Sequence, residues 1–258
     1  MEQRLSKQEK KKLKYERVKA ARRLQKKKRV ESKRQERKAL LDNMTTEERQ
    51  AFVNAERSQK ERLAAEADRA SQAGVPIFFD LSFAELMNQA EQVSLVTQVC
   101  EAIGYQRKQE SQVFQLVCCS VTETVQLLFE QMGSKRWGIQ LRTEDIFQVA
   151  QEKGRTLVML SPDAVDPLEE LDLEHSVYVI GGLVDKTRKK MKTLEKAAGH
   201  HLKVFRLPIQ EHVAPNLSLV LNLNTVFEAL LCKANGASWE DALKSTVPKR
   251  FLNRANLP

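Results

Sequence analysis

The sequence predicts an α/β fold, a mainly parallel sheet with helices on both faces, preceded by a basic extension that is helical or disordered. Three observations predict it. After Gly74 short apolar, β-branched or aromatic runs alternate with helix-length segments, the pattern of strands joined by helical crossovers. One run, Val113–Val121, is apolar enough to be a strand buried on both faces. Residues 1–73 carry no strand signal and are rich in Lys, Arg, Glu, Gln and Ala, which tolerate helix.

The elements follow in order. Residues 1–38 have too few apolar side chains to bury a face, so they are expected to be helical or disordered when free and to order on a partner. Thr45-x-x-Glu48 has the spacing of a capping box and opens a helix through about Ala70. Gly74-Val75-Pro76 marks the boundary between an extension, residues 1–73, and a folded domain, residues 74–258. Ile77-Phe78-Phe79 begins the sheet, and Ser82-x-x-Glu85 is expected to cap a helix. Helices are expected near Leu95–Ile103, Glu123–Met132, Glu144–Lys153, Lys186–Ala198, Leu223–Lys233 and Trp239–Ser245. Strands are expected at Gly138–Leu141, Thr156–Leu160, Val177–Ile180 and Lys203–Leu207.

Charge narrows the partners. Of 43 Lys/Arg and 34 Asp/Glu, residues 1–38 hold 18 and 5, a net of +13; the remainder hold 25 and 29, a net of −4. An arm of that kind fits a polyanion, nucleic acid first. A solvated tail, or an import signal at 26-KKKR-29, fits the same residues. Cys100, Cys118, Cys119 and Cys232 form no C-x-x-C pair and read as buried thiols of a reducing compartment. His200 and His201 are adjacent and so point apart, and no metal is expected. No apolar run reaches the roughly 18 residues a membrane span needs. Glu2, Glu9 and Glu16 argue against an acid-poor mitochondrial presequence, so nucleus or cytoplasm is expected ahead of the mitochondrion.

In a parallel sheet, ligands bind beyond the carboxyl ends of the strands. Three strand ends carry unusual residues, Leu160-Ser161-Pro162-Asp163, Ile180-Gly181-Gly182 and Leu207-Pro208-Ile209, and a fourth segment, 220-VLNLN-224, precedes the Val226–Leu231 helix. The usual dinucleotide, phosphate-loop and nucleophile-elbow motifs are missing, which weighs against an ordinary Rossmann enzyme, a nucleotide triphosphatase and a Ser hydrolase. Gly181-Gly182 fit either close approach of a ligand to the backbone or a tight turn with φ > 0. Asp185 alone reads as a carboxylate favoured by a helix N-terminus.

Several segments resemble one family. The strings 178-YVIGGLVDKTR-188, 206-RLPIQEH-212 and 221-LNLNTVFEALL-231 resemble the Trm10-type tRNA methyltransferases. So do 80-DLSFAELM-87, 94-SLVTQV-99, 160-LSPDAVDPLEELD-172 and 238-SWEDALKSTVPKR-250, in the family's order, across most of residues 77–250. The resemblance implies a SPOUT-class domain with a C-terminal trefoil knot over roughly residues 156–235. It implies S-adenosylmethionine as cofactor and methylation of N1 of the purine at tRNA position nine, guanine favoured.

By matching position, Leu160, Gly181, Leu207, Leu219, Val220 and Leu221 are expected to line the cofactor pocket, with Asp185, Lys186, Thr187, Arg188, Lys189 and Thr193 bordering it and Asn224 fixing a loop. Leu160, Leu207 and Val220 are equally suited to an ordinary core, since pocket walls are mostly apolar. Asp185 is expected to accept the guanine N1 proton, directly or through water, or to position the base. An ordinary Asp, with a pKa near 3.9, is a weak base. Burial would raise that value and Lys186, Arg188 and Lys189 would oppose the rise. Arg107, Lys108, Lys135, Arg136, Lys249 and Arg250 are the candidate RNA contacts. Gln106-Arg107 stands where the family often has Asn near Arg. A monomer is expected. A non-catalytic RNA-processing partner that keeps the fold is the alternative.

Overall fold

The computed structural model describes residues 6–134, 137–184, 191–213, 220–249 and 251. The chain divides into two compact units, residues 1–60 and 61–258. The first contains α1 (Lys7–Asp42) and the opening of α2 (Thr46–Ala73). The expected capping box is formed: Thr45 N–H donates to Glu48 Oε2 at 2.9 Å, and Glu48 N–H donates to Thr45 Oγ1 at 3.3 Å. Arg49 donates twice to the Leu41 carbonyl, at 3.0 and 2.7 Å, satisfying a carbonyl in the last turn of α1. No described side chain in residues 13–60 is buried.

The last turns of α2 fall in the second unit. Ala67 and Ala70 are buried, and the carbonyls of Leu63 and Ser71 accept from Gln112 Nε2 and Gln115 Nε2 at 3.0 and 2.7 Å. The helix reaches Ala73, just past its expected end, and Gly74 then leads straight into the sheet.

The strands are β1 (Val75–Asp80), β2 (Phe114–Cys119), β3 (Gln140–Leu141), β4 (Thr156–Leu160), β5 (Ser176–Gly181) and β6 (Lys203–Phe205). They form one sheet in the order β3-β2-β1-β5-β4-β6, and every pair is parallel. The helices are α3 (Gln89–Gln106), α4 (Glu123–Gln131), α5 (Ile146–Lys153), α6 (Lys192–Gly199), α7 (Ile209–His212), α8 (Leu223–Ala234) and α9 (Trp239–Thr246).

Period-two alternation sends neighbouring side chains to opposite faces. Ile77, Phe79, Leu116, Cys118, Tyr178 and Ile180 pack into one core with Val99 of α3, Phe227 of α8 and Trp239 of α9. Phe78, Val117, Cys119, Met159, Val177 and Val179 pack into a second with Ile146 and Val149 of α5 and Ala197 of α6. Both faces are therefore covered, which explains why β1 and β2 read as continuous apolar runs.

Several expected boundaries shift. Ser82-x-x-Glu85 does not cap a helix: residues Ser82–Leu86 form a 3-10 turn without a side-chain cap. The polar atoms of Ser82 are committed elsewhere, its N–H to Asp80 Oδ1 and its Oγ to Lys196 Nζ. The working cap is Asn88, whose side chain and that of Glu91 make a reciprocal box, so α3 begins at Gln89 rather than near Leu95. β6 ends at Phe205 before Pro208, and the short α7 was not expected. The helix expected from Lys186 is seen from Lys192; residues 186–190 lie outside the described residues.

Candidate active site

β1 has β2 on one side and β5 on the other, so the chain's direction of travel across the sheet reverses between β1 and β5. A parallel sheet opens a crevice at such a switch, beyond the carboxyl ends of the strands. Asp80 ends β1 and Gly181 ends β5, and the two are register partners. Next to them Leu160, at the end of β4, pairs with Ile180 on one side and Phe205 on the other. The three strand-end segments singled out in the sequence thus meet along one edge. The fourth segment, residues 220–224, leads into α8 as expected, and Leu221 packs against the same core as Leu160 and Leu207.

Gly181 and Gly182 answer to packing. Neither has positive φ, so the tight-turn explanation does not apply. A Cβ on Gly182 would lie 2.8 Å from Leu81 Cδ2, 2.9 Å from the Asp80 carbonyl oxygen and 3.1 Å from Leu95 Cδ1. Its N–H donates to that same Asp80 carbonyl at 2.8 Å, so the backbone after β5 lies directly on the end of β1. A Cβ on Gly181 would lie 3.0 Å from Thr193 Oγ1, the residue expected to border the pocket. The glycines let α6 and the end of β1 close onto β5.

Side chains hold the rest of this edge. Val184 N–H donates to Met87 Sδ at 3.3 Å. Met191, with φ of +66°, precedes α6, and its N–H donates to Asp163 Oδ2 at 3.1 Å. Asp80 is fully buried, and its Oδ2 accepts from Lys196 Nζ at 2.6 Å.

Of the other expected site residues, Leu160 and Leu207 are buried, Leu221, Thr193 and Asn224 are half-buried, and Val220 is exposed. The Asn224 Oδ1 atom is buried and accepts no hydrogen bond among the described residues, while its amide nitrogen donates to Glu228 Oε1 at 3.3 Å. Asp185, Lys186, Thr187, Arg188, Lys189 and Leu219 lie outside the described residues, as do Lys135, Arg136 and Arg250. Arg107 and Lys108 close α3, and Lys108 and Lys249 are exposed.

The two central cysteines are not nucleophiles. Burial pushes the Cys118 thiol well up and the Cys119 thiol up to about 12, so both stay protonated and pack on opposite faces of β2. No group of three or more His, Cys, Asp or Glu that could hold a metal ion occurs among the described residues. No helix among them is long and apolar enough to cross a membrane.

A family model described as tRNA (guanine(9)-N(1))-methyltransferase TRM10/TRM10A matches residues 1–252. The chain belongs to this family. Relatives of this chain include tRNA methyltransferase 10 homolog B of Homo sapiens, 31% identical over 189 residues that cover 69% of this chain and 58% of that protein. The tRNA (guanine(9)-N1)-methyltransferase of Schizosaccharomyces pombe is 30% identical over 199 residues, covering 75% of this chain and 64% of that protein. The chain thus spans less than two thirds of the length of these curated relatives. A crystal structure of full-length spTrm10 in complex with SAH superposes with a TM-score of 0.60 at 28% identity, covering 69% of this chain and 96% of that one. A dual specific Trm10 from Thermococcus kodakaraensis, 22% identical, shares the fold with a TM-score of 0.54, covering 66% of this chain and 99% of that one.

Asp80, Lys196, Asp163 and Met87 were not among the expected site residues. Asp80 had a signal: a lone charge ending a strand that is otherwise apolar and covered on both faces. Lys196 had none, because its partner lies 116 residues away in the chain.

Proposed function

We propose that this protein methylates N1 of the purine at position nine of tRNA, guanine favoured, with S-adenosylmethionine as the methyl donor. The observation that carries this reading is the family match over residues 1–252. The residues described at the strand ends fit such a cofactor. Leu160, Leu207 and Leu221 offer an apolar wall, and the unpartnered Asn224 Oδ1 offers an acceptor to a group that donates hydrogen bonds. Leu160, Gly181, Thr193, Leu207, Val220, Leu221 and Asn224 are proposed to hold it, together with Asp185–Lys189 and Leu219 from outside the described residues. SAH in the related spTrm10 structure supports the choice of cofactor.

When bound, the cofactor supplies a methyl group on a positively charged sulfur, which leaves as a neutral thioether. The protein holds the base so that N1 is in line with that methyl. N1 of guanine carries a proton. As the N–C bond forms, the N–H bond must break, and Asp185 is proposed to accept the proton directly or through water. N1 of adenine has a free lone pair and needs no such acceptor. The basic residues of α1, together with Arg107, Lys108, Lys135, Arg136, Lys249 and Arg250, are proposed to bind tRNA phosphates, in a monomer of the nucleus or cytoplasm.

The test uses labelled S-adenosylmethionine and two unmodified tRNA transcripts that differ only in G or A at position nine. Label in 1-methylguanosine is the expected result. Label in 1-methyladenosine alone would reverse the base choice. No label on either transcript, with tRNA and SAH both bound, would favour a non-catalytic RNA-binding partner. On the guanine substrate Asp185→Asn is expected to lower turnover at least about 100-fold, within the range of general-base loss; near-normal turnover removes the proton-acceptor role.

A further inference from the structure

Asp80 is a carboxylate with no exposed surface at the end of a strand whose other residues are apolar or small. Its Oδ1 accepts from Ser82 N–H at 3.1 Å and its Oδ2 from Lys196 Nζ at 2.6 Å. Lys196 Nζ donates also to Ser82 Oγ at 2.9 Å and lies 5.6 Å from the centroid of the Phe83 ring. A buried ion pair is a poor source of stability, because desolvation offsets the attraction, and apolar replacements are often as stable. Its use is geometric: it allows one arrangement of two elements.

Here the elements are β1 and α6, and both bear on Gly181. Asp80 is the register partner of Gly181, and its carbonyl holds Gly182. Thr193, one turn before Lys196, lies against the Gly181 Cα, where a Cβ would leave only 3.0 Å. The residue before α6 is tied separately, through Met191 N–H to Asp163. Lys196 therefore seats the first turn of α6 on the crossover between β1 and β5.

We propose that Lys196 is a positioning residue for the methyl-transfer site: by binding Asp80 and Ser82 it sets α6 against Gly181 and so fixes the carboxyl ends of β1 and β5 for the cofactor. What is positioned rests on the function proposed above. The pair joins residues far apart in sequence, and its contacts all lie among described residues.

The experiment compares wild type with Lys196→Met, Lys196→Arg and the double variant Asp80→Asn/Lys196→Met. It measures SAH affinity by calorimetry, the KM for S-adenosylmethionine and kcat on the G9 transcript, and the thermal midpoint. Lys196→Met is expected to weaken SAH binding and raise the KM for S-adenosylmethionine in proportion, and to lower kcat by up to about 100-fold as the reacting groups lose alignment. Lys196→Arg keeps the charge but brings a larger, planar group, so it is expected to recover only part of the affinity and to fall between wild type and Lys196→Met. The double variant has no unpaired buried charge, so its midpoint is expected to recover while its SAH affinity does not.

SAH affinity that returns with the midpoint in the double variant would show a merely structural pair and overturn the proposal. So would wild-type affinity in Lys196→Met. If Lys196→Met does not fold, the double variant carries the comparison. A wild-type protein that binds SAH but methylates neither tRNA defeats the proposed function alone, and positioning is still decided by SAH affinity. A wild-type protein that binds no SAH defeats both.

Discussion

The two units of this chain use the same interactions for different ends. In residues 1–60 the described contacts are caps and ion pairs between exposed groups: Thr45 with Glu48, Arg49 on the Leu41 carbonyl, Arg37 with Glu56 at 2.6 Å. Solvent screens such pairs, and each contributes little. In residues 61–258 an ion pair is buried, a capping box fixes where α3 starts, and apolar side chains fill both faces of the sheet. A helix that is polar all round bridges solvent or meets a charged partner. A sheet covered on both faces can hold a strand end rigid enough to carry a site. On the proposed function, the first unit meets the polyanion and the second carries the chemistry.

The sharpest way to break this contrast is to truncate one large side chain in each unit. Phe227 is fully buried and its ring is tilted against those of Phe79 and Phe114 at 5.8 and 5.9 Å. Phe227→Ala is expected to destabilise the protein by about 3–5 kcal/mol. Leu24, on α1, is 56% exposed, and Leu24→Ala is expected to change stability by less than about 0.5 kcal/mol. Urea unfolding followed by circular dichroism measures both. A comparable loss in the two variants would mean that α1 buries an apolar face in solution.

What is legible in the sequence follows the same division. Local patterns suffice for β4 and for the capping box at Thr45, because apolar runs and cap spacings act within a few residues. They suffice for α8 and α9 as well, whose apolar helical segments are expected at Leu223–Lys233 and Trp239–Ser245 and end one residue later in the fold. They mislead at Ser82, where a cap-like spacing is overruled by Asp80 and Lys196, and the true cap sits at Asn88. Strand order is not legible, because pairing of β1 with β5 joins segments some hundred residues apart and no local signal encodes it. Gly181 and Gly182 stand out in the sequence at the right position, but their cause lies in Leu81, Leu95 and Thr193, which only the fold brings near. The expectation that Leu160 and Leu207 line a pocket comes from the family resemblance alone; periodicity gives them as core, and core they are.

A smaller test asks whether caps matter equally in the two units. Asn88 and Glu91 close a reciprocal box at α3, with bonds of 3.1 and 2.9 Å, and Thr45 with Glu48 closes the equivalent one at α2. Removing a cap costs about 1 kcal/mol where the helix is part of the cooperative unit. Asn88→Ala is expected to lower global stability by about that amount, since α3 packs Leu95, Val96 and Val99 into the core. Thr45→Ala is expected to fray the start of α2 with little effect on the global transition. Hydrogen exchange at the first amides of each helix, read beside urea unfolding, separates the two. A full global loss from Thr45→Ala would show that the two units unfold together.

The smallest expected effect concerns two glutamates shifted in opposite directions. Glu56, on α2, is held below the ordinary carboxylate value, first by its hydrogen bond with Arg37. Glu228, half-buried on α8, is pushed above it, chiefly by burial and also by Glu101, while the hydrogen bond from Asn224 and the charge of Lys108 pull the other way. The signs then differ. A lowered value means that Glu56 adds stability above its unfolded pKa near 4.5, and that this is lost as pH falls through the folded value. A raised value means that the folded state prefers protonated Glu228, so stability is lost as pH climbs from about 4.5 through the folded value. Glu228→Gln, which keeps the shape and removes the charge, is expected to raise the melting midpoint by about one or two degrees at pH 7–8, with the gain fading below pH 4.5. Glu56→Gln is expected to do the reverse, with a small loss at neutral pH that disappears in acid. Midpoints measured from pH 3.5 to 8 decide both, and a pH-independent difference for Glu228→Gln would mean that its carboxylate is solvated and that the α8 surface it faces is open to water.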